Sequence, residues 1–250
     1  MFQPASLKGI SPTPFDERIR NRYFILYIVI IIGSLIPFIF LEHLLIILFW
    51  KHPYYFIFLI LLPFNLILSI YVIQISSLLI AKLFLIIINL FHAPREGNFK
   101  RDIKDKNYLF WNIRNIVKKF PLFIIATNPF PWFKHRFTLR FFGVQIGKKT
   151  LSDNCWISSE FVKIGSNVII GMGTVILTFI IEQDKFIIKK VIIEDNVSIG
   201  AKCVILPGTK IERGAKLSAY SYTEKDSILK KHMVYGGHPA KLMNENGEDL

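Results

Sequence analysis

The chain has 250 residues, 52% of them hydrophobic, and a mean hydropathy of +0.42, which is too apolar for a single soluble domain. Its net charge of +13 is concentrated in residues 92–145, which hold eleven Lys and Arg residues and three acids. A basic block can indicate nucleic-acid binding. Here aromatic residues are interleaved with the charges and an apolar region precedes them, so we expect anionic lipid headgroups as the partner and no nucleic acid.

Two apolar tracts near the N-terminus predict transmembrane helices. Residues 23–41 carry no charge and are long enough to span about 30 Å of hydrocarbon. Residues 53–91 contain one charge, Lys82, and would reach about 58 Å as one helix. We predict a span over residues 54–74, with Pro63 as a kink site, and an interfacial or protruding continuation to Phe91. A cleaved signal peptide is the alternative for the first tract, but no small-residue cleavage site follows it.

Charge around these tracts predicts their orientation. Residues 1–22 hold four Lys and Arg residues, whereas the connection expected around Glu42, His43, Lys51 and His52 carries little positive charge. The basic block of residues 92–145 then follows the second tract. Positive charge favours the cytoplasmic side, so we expect an integral membrane protein with both ends of the chain in the cytoplasm. Residues 1–91 are thus predicted to be a tail and a transmembrane region.

Residues 92–145 are predicted to be a juxtamembrane, interfacial segment. Within it, LFWNIRNIVKKF over residues 109–120 has the pattern of an amphipathic helix lying in the membrane plane. Arg114, Lys118 and Lys119 are expected away from the apolar face. That face is formed by Phe110, Ile113, Ile116, Val117 and Phe120.

Between Ile193 and Tyr222 the sequence repeats every six residues: IEDNVS, IGAKCV, ILPGTK, IERGAK, LSAYSY. An aliphatic residue opens each hexad, and a small or β-branched residue stands four places later. This period is typical of a parallel β-helix, in which three hexads close one triangular coil of eighteen residues. We therefore expect the opening residues inside the prism and the small residues at its corners.

The same frame runs upstream less regularly, and it predicts a β-helical domain over residues 146–243, followed by a tail at 244–250. Trp156 falls at a corner where a small residue is usual. Ile176 and Ile193 are seventeen residues apart, one short of three hexads, so residues 177–192 are expected to leave the prism as a loop. The upstream hexads open at Ile146, Ser152, Ser158, Ile164, Ile170 and Ile176.

Two cysteines, Cys155 and Cys203, lie inside the repeats, and Cys203 occupies a small-residue corner. A buried reduced thiol is the favoured interpretation over a disulfide or a metal ligand. The coils between Ile146 and Tyr222 contain no histidine, so no zinc site is expected there.

The hexads and the ending MVYGGHPAKLM, residues 233–243, resemble the bacterial hexapeptide-repeat acyltransferases, whose left-handed β-helix is commonly followed by a Gly-x-Pro-Ala-Lys/Arg segment. The wider arrangement is more similar to the membrane-embedded C-terminal module of polylysine-type, single-module nonribosomal peptide synthetases. That likeness rests on two spans, a turn at Thr127, Asn128 and Pro129, the FFGVQIG stretch and a loop of the form Leu/Ile-Glu-x-x-x-Phe. It covers about residues 20–243.

The resemblance implies an all-β, left-handed parallel β-helix that assembles as a homotrimer. It also implies transfer of an acyl group from a CoA or carrier thioester to an amine or hydroxyl. The pantetheine arm of the donor would lie between two prisms beside Ala201 and Ala219. Lys241 matches the family's basic residue near the nucleotide phosphates. Gly236 and Gly237 would let the backbone turn over the donor. No metal is implied.

The family's catalytic base is the doubtful part of the site. Removing a proton from the acceptor near neutral pH usually falls to histidine. The synthetase-like alignment puts Phe179 at the histidine position, and phenylalanine cannot act as a base. The candidate replacements are Glu182 and Asp184 in the loop, if burial supports them, Glu160 near the same groove, and His232 or His238 from a neighbouring subunit.

Two functions remain open at this point. The first is a membrane-anchored acyltransferase with a small-molecule or lipid-linked acceptor at the cytoplasmic face. The second is a non-catalytic β-helical scaffold on the membrane. The donor-side residues favour the first function, and Phe179 favours the second.

Overall fold

The computed structural model of the chain describes residues 19–50, 54–130, 133, 137–152 and 154–243. These residues fall into two compact units. One unit contains Arg95–Tyr108 and the described part of Asn128–Leu250, and the other contains Leu109–Thr127 and the described part of Asp16–Pro94. The predicted tails, through residue 18 and from residue 244, lie outside the described residues, as do Lys51 and His52.

Two long apolar helices dominate the second unit: α1 (Ile19–Phe49) and α2 (Tyr55–Phe91). Both are long and apolar enough to cross a membrane. The predicted start of the connection between the two helices is wrong. Helix α1 continues past residue 41, so Glu42 and His43 lie inside the helix, and α2 is one continuous helix that includes Pro63.

Glu42 is accommodated inside α1 because α2 supplies hydrogen-bond donors to its carboxylate. Asn65 Nδ2 donates to Glu42 Oε2 at 2.9 Å, and Ser69 Oγ donates to Oε1 at 2.5 Å. The two helices also approach closely at Gly33, where an added Cβ would lie 3.0 Å from Ile80 Cδ1. A polar residue thus sits within an apolar helix pair because its charge is hydrogen-bonded there.

Helix α3 (Lys106–Ala126) contains the predicted amphipathic segment but extends it at both ends. The expected polar positions are wrong for two residues, because Arg114 and Lys118 are each only 2% exposed. They follow Ile113 and Val117 directly, so the helical repeat places both pairs on one buried side. Arg114 Nη1 donates a hydrogen bond to the carbonyl of His92 at 3.3 Å.

The first unit begins with strand β1 (Gly97–Lys100) and includes a short helical turn, α4 (Leu139–Phe141). Two-residue to four-residue strands then follow in close succession. They are β2 (Gln145–Ile146), β3 (Leu151–Ser152), β4 (Trp156–Ile157), β5 (Val162–Ile164), β6 (Ile169–Ile170), β7 (Val175–Ile176), β8 (Phe179–Glu182), β9 (Lys185–Ile188), β10 (Val191–Ile193), β11 (Ser198–Ile199), β12 (Val204–Ile205), β13 (Lys210–Ile211), β14 (Lys216–Leu217), β15 (Ile228–Leu229), β16 (Val234–Gly236) and β17 (Lys241–Leu242).

Three parallel sheets form the sides of a prism, as the hexads predict. Their strand orders are β15-β13-β10-β5-β2 for the first sheet, β16-β14-β11-β6-β3 with β17 at its end for the second, and β12-β7-β4 for the third. Ile193, Ile211 and Leu229 pair in successive coils, eighteen residues apart. The coils therefore continue past Tyr222, where the sequence no longer shows a clear hexad.

The predicted frame is wrong by one residue in the first coil. Ile157, not Ser158, pairs with Ile176 and enters the core, while Trp156 points outward and is 50% exposed. Cys155 packs against the core at the small corner position instead. A tryptophan does not fit a corner made for small residues, so a shortened hexad followed by a lengthened one moves it to the outside.

Each coil turns at three corners. We call the corner after the first sheet corner A, the corner after the second sheet corner B, and the corner after the third sheet corner C. Residues one coil apart adopt the same left-handed backbone at a corner, with φ near +55° to +75°. Corner A shows this in the row Lys149, Asn167, Asn196, Gly214 and His232.

The predicted loop leaves the prism at corner C as a β-hairpin, and this expectation is confirmed. Strands β8 and β9 pair antiparallel, and β1 pairs with the other edge of β9, giving the sheet order β1-β9-β8. The prism path resumes at Val191, which pairs with Val162 in the coil before. The departure is therefore slightly shorter than residues 177–192.

Candidate active site

Corner B holds the predicted donor-side alanines in one row. Ala201 and Ala219 are stacked one coil apart, and the amide of Tyr220 donates to the carbonyl of Ala201 at 2.9 Å. The coils are so close here that a Cβ added at Gly200 would lie 2.3 Å from the amide nitrogen of Ala219. Small residues at this corner leave room for a narrow ligand along its outer edge.

The charge at corner B differs from that at the other two corners. Among the described residues, corners A and C carry carboxylates such as Glu212 and Asp226, whereas corner B carries none. Its charged side chain is Lys202, whose ammonium lies 5.3 Å from the centroid of the Tyr220 ring. Lys202 thus places a positive charge at this corner, which an anionic ligand could meet.

The C-terminal segment returns to the same sheet. Strand β17 pairs antiparallel with β16, and this pairing places the exposed Lys241 opposite Gly236. Gly237 has φ +97°, and its amide donates to Ser221 Oγ at 3.1 Å. The structure thus joins Gly236, Gly237 and Lys241 to the sheet that leads into corner B.

Cys203 fills the interior of corner B. Its Sγ lies 3.1 Å from the carbonyl oxygen of Ser218, and its side chain is buried. Burial raises the pKa of the Cys203 thiol, and hydrogen bonding with nearby backbone groups offsets part of that effect. Neither Cys155 nor Cys203, both within the described residues, forms a disulfide. A raised pKa keeps the Cys203 thiol protonated, which suits packing rather than nucleophilic chemistry.

The two predicted bases in the hairpin lack the burial that their role requires. Glu182 forms an ion pair with Lys225, and its side chain is 40% exposed. Asp184 is exposed at the hairpin turn, where its carbonyl accepts a hydrogen bond from the amide of Arg101 at 2.8 Å. Both carboxylates are therefore open to water.

Glu160 is better placed. It belongs to the corner C turn directly below the hairpin neck, where the amide of Thr178 donates to Ser158 Oγ at 3.2 Å and the amide of Val191 donates to the carbonyl of Phe161. Glu160 Oε2 is buried. Of the three predicted acids, it alone combines a buried oxygen with a position at the base of the hairpin.

The two C-terminal histidines lie at different corners. His232 is exposed at corner A, where its ring lies against Gly214: a Cβ added there would be 2.5 Å from His232 Nδ1. His238 follows Gly237 at the end of the corner B row, and its ring centroid is 5.9 Å from that of Tyr222. Within one prism, His232 is therefore not brought together with Glu160 or the hairpin, whereas His238 shares the donor corner.

Phe179 lies in an aromatic cluster at the start of the hairpin. Its ring meets Trp156 edge-on, with centroids 6.4 Å apart, and lies 6.2 Å from Phe186. Sequence reasoning missed Trp156 as part of this cluster because the hexad frame assigned it to a corner. Among residues covered by the structure, no group of three His, Cys, Asp or Glu side chains could hold a metal ion.

Comparison with known proteins identifies the repeat region. Residues 190–220 match the family described as hexapeptide repeat of succinyl-transferase. A Bacillus subtilis (strain 168) protein named "Putative acetyltransferase YvoF" is 34% identical over 135 residues, which are 51% of this chain and 76% of that protein. A 2,3,4,5-tetrahydropyridine-2,6-dicarboxylate N-acetyltransferase of Staphylococcus aureus (strain JH9) is 38% identical over 84 residues, 34% of this chain and 33% of the enzyme.

Solved structures with a related repeat include a maltose O-acetyltransferase from Clostridium difficile 630, with a TM-score of 0.44, 18% identity, and coverage of 59% of this chain and 91% of that chain. Another is the hexapeptide-repeat acetyltransferase VCA0836 from Vibrio cholerae O1 biovar eltor in complex with acetyl coenzyme A. Its TM-score is 0.40 at 20% identity, covering 51% of this chain and 84% of that chain. The closer resemblance to a synthetase module stays a prediction. With the repeat, the prism and the 76% coverage of its Bacillus subtilis relative, this chain belongs to the hexapeptide-repeat acyltransferase family.

Proposed function

We propose that the protein is a membrane-anchored acyltransferase that uses an acyl-CoA donor and acts on an amine or hydroxyl at the cytoplasmic face. The observation that carries this proposal is corner B, where stacked small residues adjoin Lys202 and the exposed Lys241 and the described residues include no carboxylate. A narrow pantetheine arm fits beside Ala201 and Ala219, and the phosphates of CoA fit the positive charge of the two lysines. A carrier-bound thioester is the alternative donor.

The names of two relatives support the same reaction type, since both describe acetyltransferases and one describes an N-acetyltransferase. Nucleophilic attack by the acceptor on the thioester carbonyl forms the new bond, and collapse of the intermediate breaks the carbon–sulfur bond. A base must take the acceptor proton, and the released thiolate must gain one. We favour Glu160 of the neighbouring prism as the base, because its Oε2 is buried in the corner C turn at the hairpin neck, whereas the donor row of its own prism lies at corner B.

The helices support the proposed anchor. Large apolar side chains of α1 and α2 are exposed along both helices, including Phe40, Ile60, Phe64, Leu90 and Phe91. Such surfaces are costly in water and suited to lipid. The acceptor is proposed to be a small molecule or a lipid-linked group. The donor groove requires a second prism beside the first, so a homotrimer belongs to the proposal.

A non-catalytic scaffold is the second candidate, and the apolar cluster around Phe179 favours it. The test uses the full chain in detergent or nanodiscs, with thermal unfolding measured in CoA and acetyl-CoA, and thiol release measured with candidate acceptors. A ligand at 100 times its Kd stabilises the fold by about 2.7 kcal/mol, which is readily measured. Binding without turnover on every acceptor would support the scaffold. No stabilisation by CoA or any acyl-CoA would rule out the CoA donor.

Two variants locate the donor. Ala219→Trp fills the corner B row and is expected to abolish stabilisation by CoA. Arg213→Trp is the matched control, because Arg213 is exposed at the corresponding place in corner A. Glu160→Gln should then retain CoA binding and lose most turnover. Full activity in that variant would remove Glu160 as the base.

A further inference from the structure

The hairpin formed by β8 and β9 is attached to the rest of its unit on two sides, and the two attachments differ in kind. On the prism side, Glu182 pairs with Lys225 and Lys189 pairs with Asp226. Lys225 and Asp226 thus meet opposite charges at the end of β8 and just after β9. All four side chains are between 35% and 55% exposed.

On the other side, the hairpin is joined to β1 and to Tyr108 in the first turn of α3. Four residues of β1 pair with β9, from Gly97 opposite Ile188 to Lys100 opposite Lys185. Phe186 is fully buried, and its ring meets that of Tyr108 edge-on at 5.0 Å. We call β1 and Tyr108 the strap.

These attachments differ in strength and in their response to salt. Solvent-exposed ion pairs contribute little and are screened by added salt. A strand ladder combined with burial of an aromatic ring is stronger and insensitive to salt. On the prism side, the Phe179 ring at the start of β8 also meets Trp156 edge-on, with centroids 6.4 Å apart. The attachment to the strap is therefore insensitive to salt, whereas the attachment to the prism includes two ion pairs that salt screens.

We propose that the 225–226 turn is a salt-sensitive latch, and that the hairpin, when released, stays with the strap and opens at its neck. The neck is closed by two contacts: the amide of Lys189 donates to the carbonyl of Thr178 at 2.9 Å, and the amide of Thr178 donates to Ser158 Oγ. Glu160 lies in the turn below this neck. Release uncovers that turn and frees Glu182 from Lys225, a consequence for the reaction that rests on the proposed function.

The test is hydrogen exchange at single-residue resolution on the full chain. Lys225→Gln combined with Asp226→Asn removes both ion pairs and leaves the net charge unchanged. We expect the neck amides of Thr178 and Lys189 to exchange roughly three- to tenfold faster, as expected for the loss of two weak contacts. The β9 amides that face β1 should change less than about twofold, because the strap holds them.

The matched control is Lys210→Gln combined with Glu212→Gln, which removes the two ion pairs that Lys210 forms with Glu194 and Glu212 elsewhere in the prism and leaves the net charge unchanged. It should leave the neck unchanged. Raising NaCl from about 0.05 M to about 1 M should accelerate the neck in the wild-type protein and not in the latch variant. Exchanging the two charges, with Glu182→Lys and Lys225→Glu in the same chain, should return hydrogen exchange of the neck amides to the wild-type rate.

Equal acceleration of neck and strap amides would overturn the proposal, as would an unchanged neck or a control that behaves like the latch variant. These measurements need no substrate. Failure of acyl transfer would therefore contradict the proposed function and leave the latch standing, whereas unchanged exchange would remove the latch alone.

Discussion

The two halves of the prism differ in how regularly their hexads fill the interior. From Ile193 to Leu229, the residues that open the hexads are between 0% and 2% exposed, and the coils repeat every eighteen residues without change. Before residue 177, one hexad is shortened, the next is lengthened, and a serine opens another. The irregular half then leads into the hairpin, which pairs with the strap. The regular coils carry the donor row at corner B, and the irregular half carries Glu160 and the hairpin.

The largest expected effect tests the interior of the regular half. Ile205→Ala removes a fully buried side chain from a closely packed core and should cost about 3–4 kcal/mol of unfolding free energy. Ile157→Ala in the irregular half should cost about 2–3 kcal/mol. Denaturant unfolding of the detergent-solubilised protein measures both. Trp156→Ala is the control, and a loss greater than that of Ile157→Ala would contradict the outward position of Trp156.

The next effect tests how closely the coils stack at corner B. Gly200→Ala brings a Cβ within 2.3 Å of the backbone of Ala219 and should cost about 2–3 kcal/mol. Gly173→Ala is the comparison, because its Cβ would first meet the movable Lys202 side chain at 3.1 Å. The side chain can move away, so the remaining cost comes from the positive φ of +75° at Gly173 and should be about 1 kcal/mol. Thermal unfolding of both variants decides this, and equal losses would contradict the close backbone contact.

A smaller effect tests the support that the strap gives to the irregular half. Asp105 accepts hydrogen bonds from the amide of Asn107 at 2.8 Å and from the amide of Lys100 at 3.2 Å, so it caps α3 and holds β1. Asp105→Ala should cost about 1 kcal/mol, the usual value of an N-cap. Burial acts to raise the pKa of Asp105, but hydrogen bonds from Asn107, Lys100 and Tyr108 outweigh it and lower the pKa.

The lowered pKa predicts how this effect depends on pH. The contribution of Asp105 is present above its unfolded pKa of about 3.9 and is lost as pH falls through the lower folded value. The difference between wild type and Asp105→Ala should therefore shrink in acid. Asp105→Asn should retain part of the cap at all pH values. A difference that is constant from neutral pH into acid would contradict the role of the carboxylate.

The smallest effect tests the surface of the regular half. Lys210 lies 3.2 Å from Glu194 and 3.3 Å from Glu212, and these two hydrogen-bonded acids raise its pKa. A raised pKa means that its contribution is present at neutral pH and is lost as pH rises through the folded value. The pair is exposed, so Lys210→Met should leave the unfolding midpoint nearly unchanged. A clear fall at neutral pH would show that surface charge matters to this half.

Much of the prism could be predicted because its interior repeats one steric requirement at a fixed spacing. Ile193, Ile199 and Ile205 each fill the same place in successive sides, so the hexads alone indicate the coil. Beyond Tyr222 the predicted domain continues without a clear hexad, because Tyr235 stands where an aliphatic residue is usual, opposite Leu217. The place of the hairpin could be predicted because Ile176 and Ile193 are seventeen residues apart, one short of three hexads. The sequence pattern does not show that the hairpin pairs with β1.

The candidate site was less predictable, since its residues come together from different coils. The row of Ala201 and Ala219 could be placed because both positions follow the repeat. Whether Glu182 and Glu160 are buried depends on the hairpin and its neighbours, which no local pattern describes. That the described residues of corner B include no carboxylate also emerges only when residues eighteen positions apart are stacked.

The sequence by itself determined the coil, the departure of the chain after Ile176 and the presence of two long apolar helices, because periodicity and hydrophobicity are local properties of the chain. Only the tertiary structure decided that Trp156 faces outward, that Arg114 and Lys118 are buried, and that β1 pairs with the hairpin. Each of these depends on contacts between residues far apart in sequence. Their packing and hydrogen-bonding energies exceed the local preferences that the sequence displays.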